Sequence, residues 1–171
     1  MEIIALLRGV TPTGKNRIPK MSFLVEILEK SGLKNVKTYI QSGNVILETE
    51  LSKEETAKLI HNTIAKEIGA DLSVIIKEKN QLQIAIEENP FNENYDFSRI
   101  HLVFTNDIMN EDELKKLKNK DFGDEKFIIG SKCLYMYLPK SASSYLEKQL
   151  SITMTMRKLN VVEHLVGLCE K

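Results

Sequence analysis

The chain has 171 residues, room for one large domain or two small ones, and its 42% hydrophobic against 28% charged residues is an ordinary globular balance able to bury a core. Twenty-four Lys and Arg offset twenty-four Asp and Glu, so the long-range field of a dedicated nucleic-acid binder is excluded and any basic site is local. No run approaches the ~20 apolar residues of a membrane helix, Cys133 and Cys169 lack paired spacing, and Glu2 stands where a signal peptide wants lysine; the expectation is a soluble, reduced, cytoplasmic protein with no membrane contact.

Residues 3–7 are a short apolar run closed by Arg8-Gly9, which predicts a central strand. Met21, Leu24, Val25 and Leu28 form a helical stripe, and Gly32-Leu33 supplies a left-handed stop followed by an apolar contact. Val36, Thr38 and Ile40 then alternate with Lys37, Tyr39 and Gln41, and extended character resumes at Val45 after Ser42-Gly43-Asn44, predicting a tight hairpin. Ser52 and Glu55 have capping-box spacing, opening a helix that carries Ile60, Ile64 and Ile68 to a stop at Gly69. With a strand over 72–76, residues 1–77 read β-α-β-β-α-β, the ferredoxin-like order.

The second half repeats this approximately. It begins with a short helix from Asn80, stopped by Asn89-Pro90, then a polar loop and a strand over 100–104. Asn110 and Glu113 open a helix with Lys115, Lys116, Lys118 and Lys120 toward its C-terminus, where the macrodipole favours cations. Residues 127–129 and 133–138 flank a glycine-first two-residue turn at Gly130-Ser131, and Ser144 and Asn160 are spaced to cap two further helices. The fold class expected is α+β: two ferredoxin-like modules, 1–78 and 79–171, packed together, each an antiparallel sheet with helices on one face.

Gly9-Val10-Thr11-Pro12-Thr13-Gly14-Lys15 follows a strand and has the G-x-x-x-x-G-K spacing of a phosphate-binding loop. Asn16 stands where that loop needs a hydroxyl for magnesium, and Pro19 delays the helix that should start at the Gly-Lys pair, which argues against nucleotide hydrolysis. What remains is an anion cradle. Arg8, Lys15, Arg17 and Lys20 fall together with no acid among them, Gly14 permits close backbone approach and Asn16 offers an amide. The competing reading is a solvated basic loop without a ligand. Tyr39, Gln41, Ser42 and Asn44 set polar groups around the adjacent hairpin, although Ser, Gly and Asn also belong there as turn residues. Arg157 precedes the last helix, near an N-terminus where a cation is unfavourable unless an anion offsets it. His61, His101 and His164 are scattered without ligand spacing, no nucleophile elbow occurs and the acids of 87–96 lack calcium-loop order, so no metal, cofactor or catalytic group is assigned.

Leu6-Leu7-Arg8-Gly9-Val10, Gly14-Lys15-Asn16, the string from Thr38 through Val45, Asn89-Pro90-Phe91 and Thr155-x-Arg157 together resemble the bacterial domain-of-unknown-function family 1697 over nearly the whole chain. The resemblance implies an α+β fold of ferredoxin-like modules and no established activity. It also implies that Arg8, Gly9, Gly14, Lys15, Asn16, Tyr39, Gln41, Ser42, Gly43, Asn44 and Arg157 are shared positions without assigned roles. The chain departs from the family pattern twice: Val10-Thr11-Pro12-Thr13 replaces Ile-Asn-Val-Gly, which stiffens the loop, and Arg157-Lys158-Leu159-Asn160 replaces Arg-Asn-Trp-Asn, which removes a tryptophan.

The leading functional expectation is a binding or regulatory protein in which Arg8, Gly14, Lys15, Asn16, Arg17, Tyr39, Gln41, Ser42, Asn44 and Arg157 hold a small phosphate- or carboxylate-bearing ligand. Nucleic-acid binding ranks behind it, because residues 3–7 and 45–47 offer no aromatic for base stacking. An enzyme of phosphoryl or acyl transfer lacks an identifiable base or nucleophile. A sheet edge serving homodimerisation is the remaining alternative.

Overall fold

The computed structural model describes residues 1–40, 43–106, 112, 115, 126–138 and 153–169. Two compact units divide the chain: Met1–Lys79 with Gly167–Lys171, and Asn80–Val166.

In the first unit, β1 (Glu2–Arg8), α1 (Met21–Lys30), β2 (Lys34–Tyr39), β3 (Asn44–Glu48), α2 (Lys53–Glu67) and β4 (Ser73–Lys77) follow one another. The strands form an antiparallel sheet of order β2-β3-β1-β4, the ferredoxin-like arrangement. Strand alternation sends Ile3, Ala5 and Leu7 to the face that packs with Leu24, Ile27 and Leu28 of α1 and Ile60 and Ile64 of α2. Ile4, Leu6, Ile46 and Ile75 fall on the opposite face and are buried as well. Burial on both faces is why residues 3–7 read as a continuous apolar run rather than an alternating one.

The helix ends follow from local chemistry. Gly32, at φ +110°, closes α1 in a Schellman motif, with the Gly32 amide on the Glu29 carbonyl at 3.1 Å and the Leu33 amide on Leu28 at 3.3 Å. Ser52 opens α2 through a complete capping box: the Glu55 amide donates to Ser52 Oγ at 3.1 Å and the Ser52 amide to Glu55 Oε2 at 3.3 Å. Ser52→Ala is expected to cost about 1 kcal/mol of unfolding free energy, read from the urea midpoint, because it orphans an amide of the first turn. The strand expected through Ile40 is corrected. β2 ends at Tyr39, and Ile40 turns into the left-handed region at φ +50° with its side chain 47% exposed, since the chain must reverse within four residues to pair Tyr39 with Asn44. A β-bulge between Lys34 and Lys37 places Asn35 at φ +51°, a conformation asparagine tolerates.

The second unit contains α3 (Lys79–Glu87), β5 (Ile100–Thr105), β6 (Lys126–Ile129), β7 (Leu134–Tyr137) and β8 (Met154–Lys158), with α4 (Leu159–Leu168) following directly. Its antiparallel sheet runs β6-β7-β5-β8, the same order as the first when the strands are matched in sequence. Val103, Leu134, Met136 and Met154 cluster on one face. On the other face Tyr135 reaches α3, its hydroxyl donating to the Ala85 carbonyl at 2.5 Å. Phe91, Tyr95 and Tyr137 pack ring against ring at 5.0–5.6 Å between centroids. Arg99 lies 4.2 Å over Tyr137 and Lys126 lies 4.8 Å over Tyr95.

Two local expectations in this unit are corrected. Ile129 pairs with Leu134, so residues 130–133 form a four-residue connection closed by the Gly130 amide on the Cys133 carbonyl at 2.9 Å, not a two-residue turn. Asn160 is not a cap, because α4 starts at Leu159 and places it inside the first turn. Asp112 and Lys115 are helical, whereas the cap at Asn110 and the helix expected from Ser144 lie outside the described residues.

Candidate functional site

The antiparallel register puts the candidate residues of the first unit at one edge of its sheet. β1 ends at Arg8, opposite Ser73 at the start of β4, while Asn44 at the start of β3 pairs with Leu6 on one side and Tyr39, the last residue of β2, on the other. Residues 9–20, the 40–43 turn and the connection into β4 therefore share this edge. Two hydrogen bonds tie them: the Leu7 amide donates to Gly43 O at 2.9 Å, and the Asp71 amide donates to Asn16 Oδ1 at 3.0 Å.

Arg8, Tyr39 and Asn44 fall together on the sheet face opposite α1 and α2. The loop instead carries Lys15, Arg17 and Lys20 around the edge toward α1, and all three are exposed. Its fold is local: Thr11 N donates to Asn16 O at 3.1 Å, Arg17 N to Gly14 O at 3.3 Å and Thr11 Oγ1 to Thr13 O at 2.7 Å. Gly14 sits at φ +84° with nothing within 4 Å of an added Cβ, so its backbone is open to an incoming group. Helix α1 begins only at Met21, so the loop is not a P-loop running into a helix N-terminus at its Gly-Lys pair.

Two candidate amides have structural work. Asn16 holds the α2–β4 connection, and Asn44, fully buried, donates from Nδ2 to the Tyr39 carbonyl at 3.1 Å across the hairpin mouth. Gln41 and Ser42 lie outside the described residues. Arg157 belongs to the second unit, on β8 opposite Leu102, where it is buried and donates from Nη1 to Thr155 Oγ1 at 2.5 Å and to Met156 O at 3.1 Å. Burial lowers its pKa to about 10, so the guanidinium stays charged at neutral pH. It lies on β8, two residues before α4 begins at Leu159, so it is at once a strand residue and close to the helix start.

Sequence reasoning passed over a neighbouring pair. His61, on α2, donates from Nδ1 to the Leu72 carbonyl at 2.7 Å, so Nδ1 carries the proton. Its Nε2 lies 3.8 Å from Asp71 Oδ1. The cradle, acid-free along the chain, thus has Asp71 beside Asn16 in space. Nothing in the local spacing of residues 61 and 71 signals this contact, which depends on the turn at Gly69.

Among the described residues, no group of three or more His, Cys, Asp or Glu is placed to hold a metal ion. Cys133 and Cys169 are buried free thiols, and desolvation pushes the Cys169 thiol up to about 11, which keeps it protonated and poorly nucleophilic. Tyr135 and Tyr137 lie on a central strand of the second sheet, where an RNA reader would present stacking aromatics, but they are 1% and 9% exposed and engaged with their own unit. No helix among the described residues is long and apolar enough to cross a membrane.

Fold and site thus define a mixed α+β protein of two antiparallel four-stranded sheets, the first with a basic loop at its edge. The family model described as "Protein of unknown function (DUF1697)" matches residues 1–135, and the chain belongs to that family. The matched span includes the basic loop and the hairpin, while Arg157 lies beyond it. Among solved structures, the conserved bacterial protein SP0830 from Streptococcus pneumoniae is similar, with a TM-score of 0.78 at 21% identity over 98% of this chain and 97% of that one. At that identity the likeness is one of fold. No curated protein matches the chain.

Proposed function

We propose that this protein binds a small phosphate- or carboxylate-bearing ligand at the edge of its first sheet, with Lys15, Arg17 and Lys20 supplying the charge and the Gly14 backbone the close approach. Arg8 and Tyr39 lie at the same end of the sheet on its other face, while Asn16 fixes the loop and the buried Asn44 fixes the hairpin. The observation that carries this reading is the start of α1. Lys20 occupies its N-cap, no side chain caps it and its first turn has no acid. A cation at the positive end of a helix is unfavourable, and here two more exposed cations, Lys15 and Arg17, stand in the same loop. The other helix of this unit shows the usual solution, with a capping box and Glu54 and Glu55 in its first turn. A bound anion would supply at α1 what those carboxylates supply at α2.

The test is a thermal-shift panel of inorganic phosphate, sugar phosphates, nucleotides and small dicarboxylates on the full chain. At least one class is expected to raise Tm, and Lys15→Ala or Arg17→Ala to weaken that ligand about tenfold, the value of one charge-assisted hydrogen bond. If no anion shifts Tm, or if both loop variants respond like wild type, the loop is a solvated surface and the proposal fails.

A further inference from the structure

The other edge of the first sheet, away from the basic loop, holds a cavity of about 400 Å³. Residues 31–34 after α1, residues 48–51 at the end of β3, Leu59 of α2 and Met1 line it, and it is open to solvent on one side. We infer that this cavity is a binding site for a small zwitterion with an apolar body, of the class of an α-amino acid or a dipeptide.

Size comes first: the volume lies within the ~300–1,000 Å³ of small-molecule sites. The walls then divide by chemistry. Leu33, Leu51 and Leu59 supply an apolar lining together with Met1. Leu51 at 39% and Met1 at 50% exposure are two of the five exposed large hydrophobic side chains of the described residues, and both face this one cavity. Gly32 contributes bare backbone, for a Cβ added there would meet nothing within 4 Å.

The polar groups sort by whether they are already engaged. Glu48 accepts from Asn35 Nδ2 at 2.5 Å, and Thr49 Oγ1 is shared between Thr56 Oγ1 and the Leu51 amide, each at 3.1 Å. The Met1 amino group donates to the Thr49 carbonyl at 3.1 Å. Lys34 and Glu50 remain, one cation and one anion in the same lining, and neither side chain makes a hydrogen bond or ion pair among the described residues. A neutral apolar ligand would desolvate both charges without compensation, and a ligand of one charge would leave the other exposed to the same cost. A zwitterion answers both, with its carboxylate toward Lys34, its ammonium toward Glu50 and its side chain on the leucines.

The site is independent of the anion proposal, since it lies at the opposite edge and shares no residue with it. It is tested by titrating the ¹⁵N-labelled full chain with L-leucine and L-leucylglycine. Uncharged N-acetyl-L-leucinamide and singly charged isopentylamine serve as comparisons. Saturable amide shifts are expected at Gly32, Lys34, Glu50 and Leu51 with the zwitterions, with Gly14 and Lys15 unmoved. Lys34→Met and Glu50→Gln, both at exposed positions where folding is not at stake, should each weaken binding about tenfold or more. Three results overturn the inference: no saturable shift with either zwitterion, isopentylamine binding as well as leucine, or affinity unchanged in both variants.

Discussion

Gly43→Ala is expected to destabilise the first unit by about 2–5 kcal/mol, the sum of a left-handed backbone penalty of about 1–2 and an overpacking penalty of about 1–3. Gly43 closes the hairpin at φ +88°, and its carbonyl takes the Leu7 amide at 2.9 Å. An added Cβ would stand 2.8 Å from Leu7 Cβ and 3.0 Å from Val10 Cγ2. Leu7 Cβ is fixed to the central strand and cannot swing aside, so the hairpin mouth must open and the Leu7 bond must stretch. Gly14→Ala separates the two contributions. Gly14 has nearly the same φ, +84°, but open space around it, so its cost should stay near 1 kcal/mol. The comparison is read from urea midpoints at unchanged slope, and from hydrogen exchange at Val45 and Leu47, which reports the first unit alone. Equal costs for the two substitutions would show that the approach to Leu7 is not what Gly43 is for.

The same hairpin shows what could be read before any coordinates. The ferredoxin-like order of residues 1–77 was legible because each boundary is marked locally: Arg8-Gly9 after an apolar run, Gly32-Leu33 after a helical stripe, Ser52 with Glu55 at a cap. Each of these acts within four residues, the range over which sequence spacing carries geometry. Ile40 misled because period-two alternation continues through it in sequence, while its backbone turns left-handed to bring Tyr39 opposite Asn44. The Gly130 turn misled for a related reason. A glycine followed by serine fits a two-residue turn, yet the register pairs Ile129 with Leu134 and leaves Gly130 against the Tyr135 ring, a contact that turn chemistry does not contain.

The candidate site was legible as a set of cations and not as an arrangement. Lys15, Arg17 and Lys20 are near in sequence and stay on one loop, so their grouping survives folding. Asn16 and Asn44 looked like ligand groups, but an amide that satisfies a buried or connecting backbone group has the same composition as one that awaits a ligand. The approach of Asp71 and His61 to that loop is set by α2 and Gly69, many residues away. The cavity behind Gly32 was not legible at all, because it is built from the ends of elements whose residues have ordinary structural explanations one at a time.

In the second unit, Gly130→Ala is expected to cost about 3 kcal/mol, the upper end of overpacking penalties, although Gly130 needs no left-handed backbone. A Cβ at this position would overlap Tyr135 Cε2 and stand 3.0 Å from the Cys133 carbonyl. Tyr135 has no room to yield: its ring is 1% exposed and its hydroxyl is anchored on Ala85 O at 2.5 Å. Nor can the carbonyl retreat without loosening the Gly130 amide bond that closes residues 130–133. The ring is the decisive obstacle, and a double-mutant cycle isolates it. Tyr135→Leu keeps an apolar side chain on that face but removes the edge that Gly130 accommodates. In that background Gly130→Ala should cost no more than about 1 kcal/mol, a coupling of about 2 kcal/mol between the two sites. Zero coupling would place the role of Gly130 in the backbone of the connection; full coupling would mean that the glycine is present so that a buried tyrosine can cross over it to reach α3.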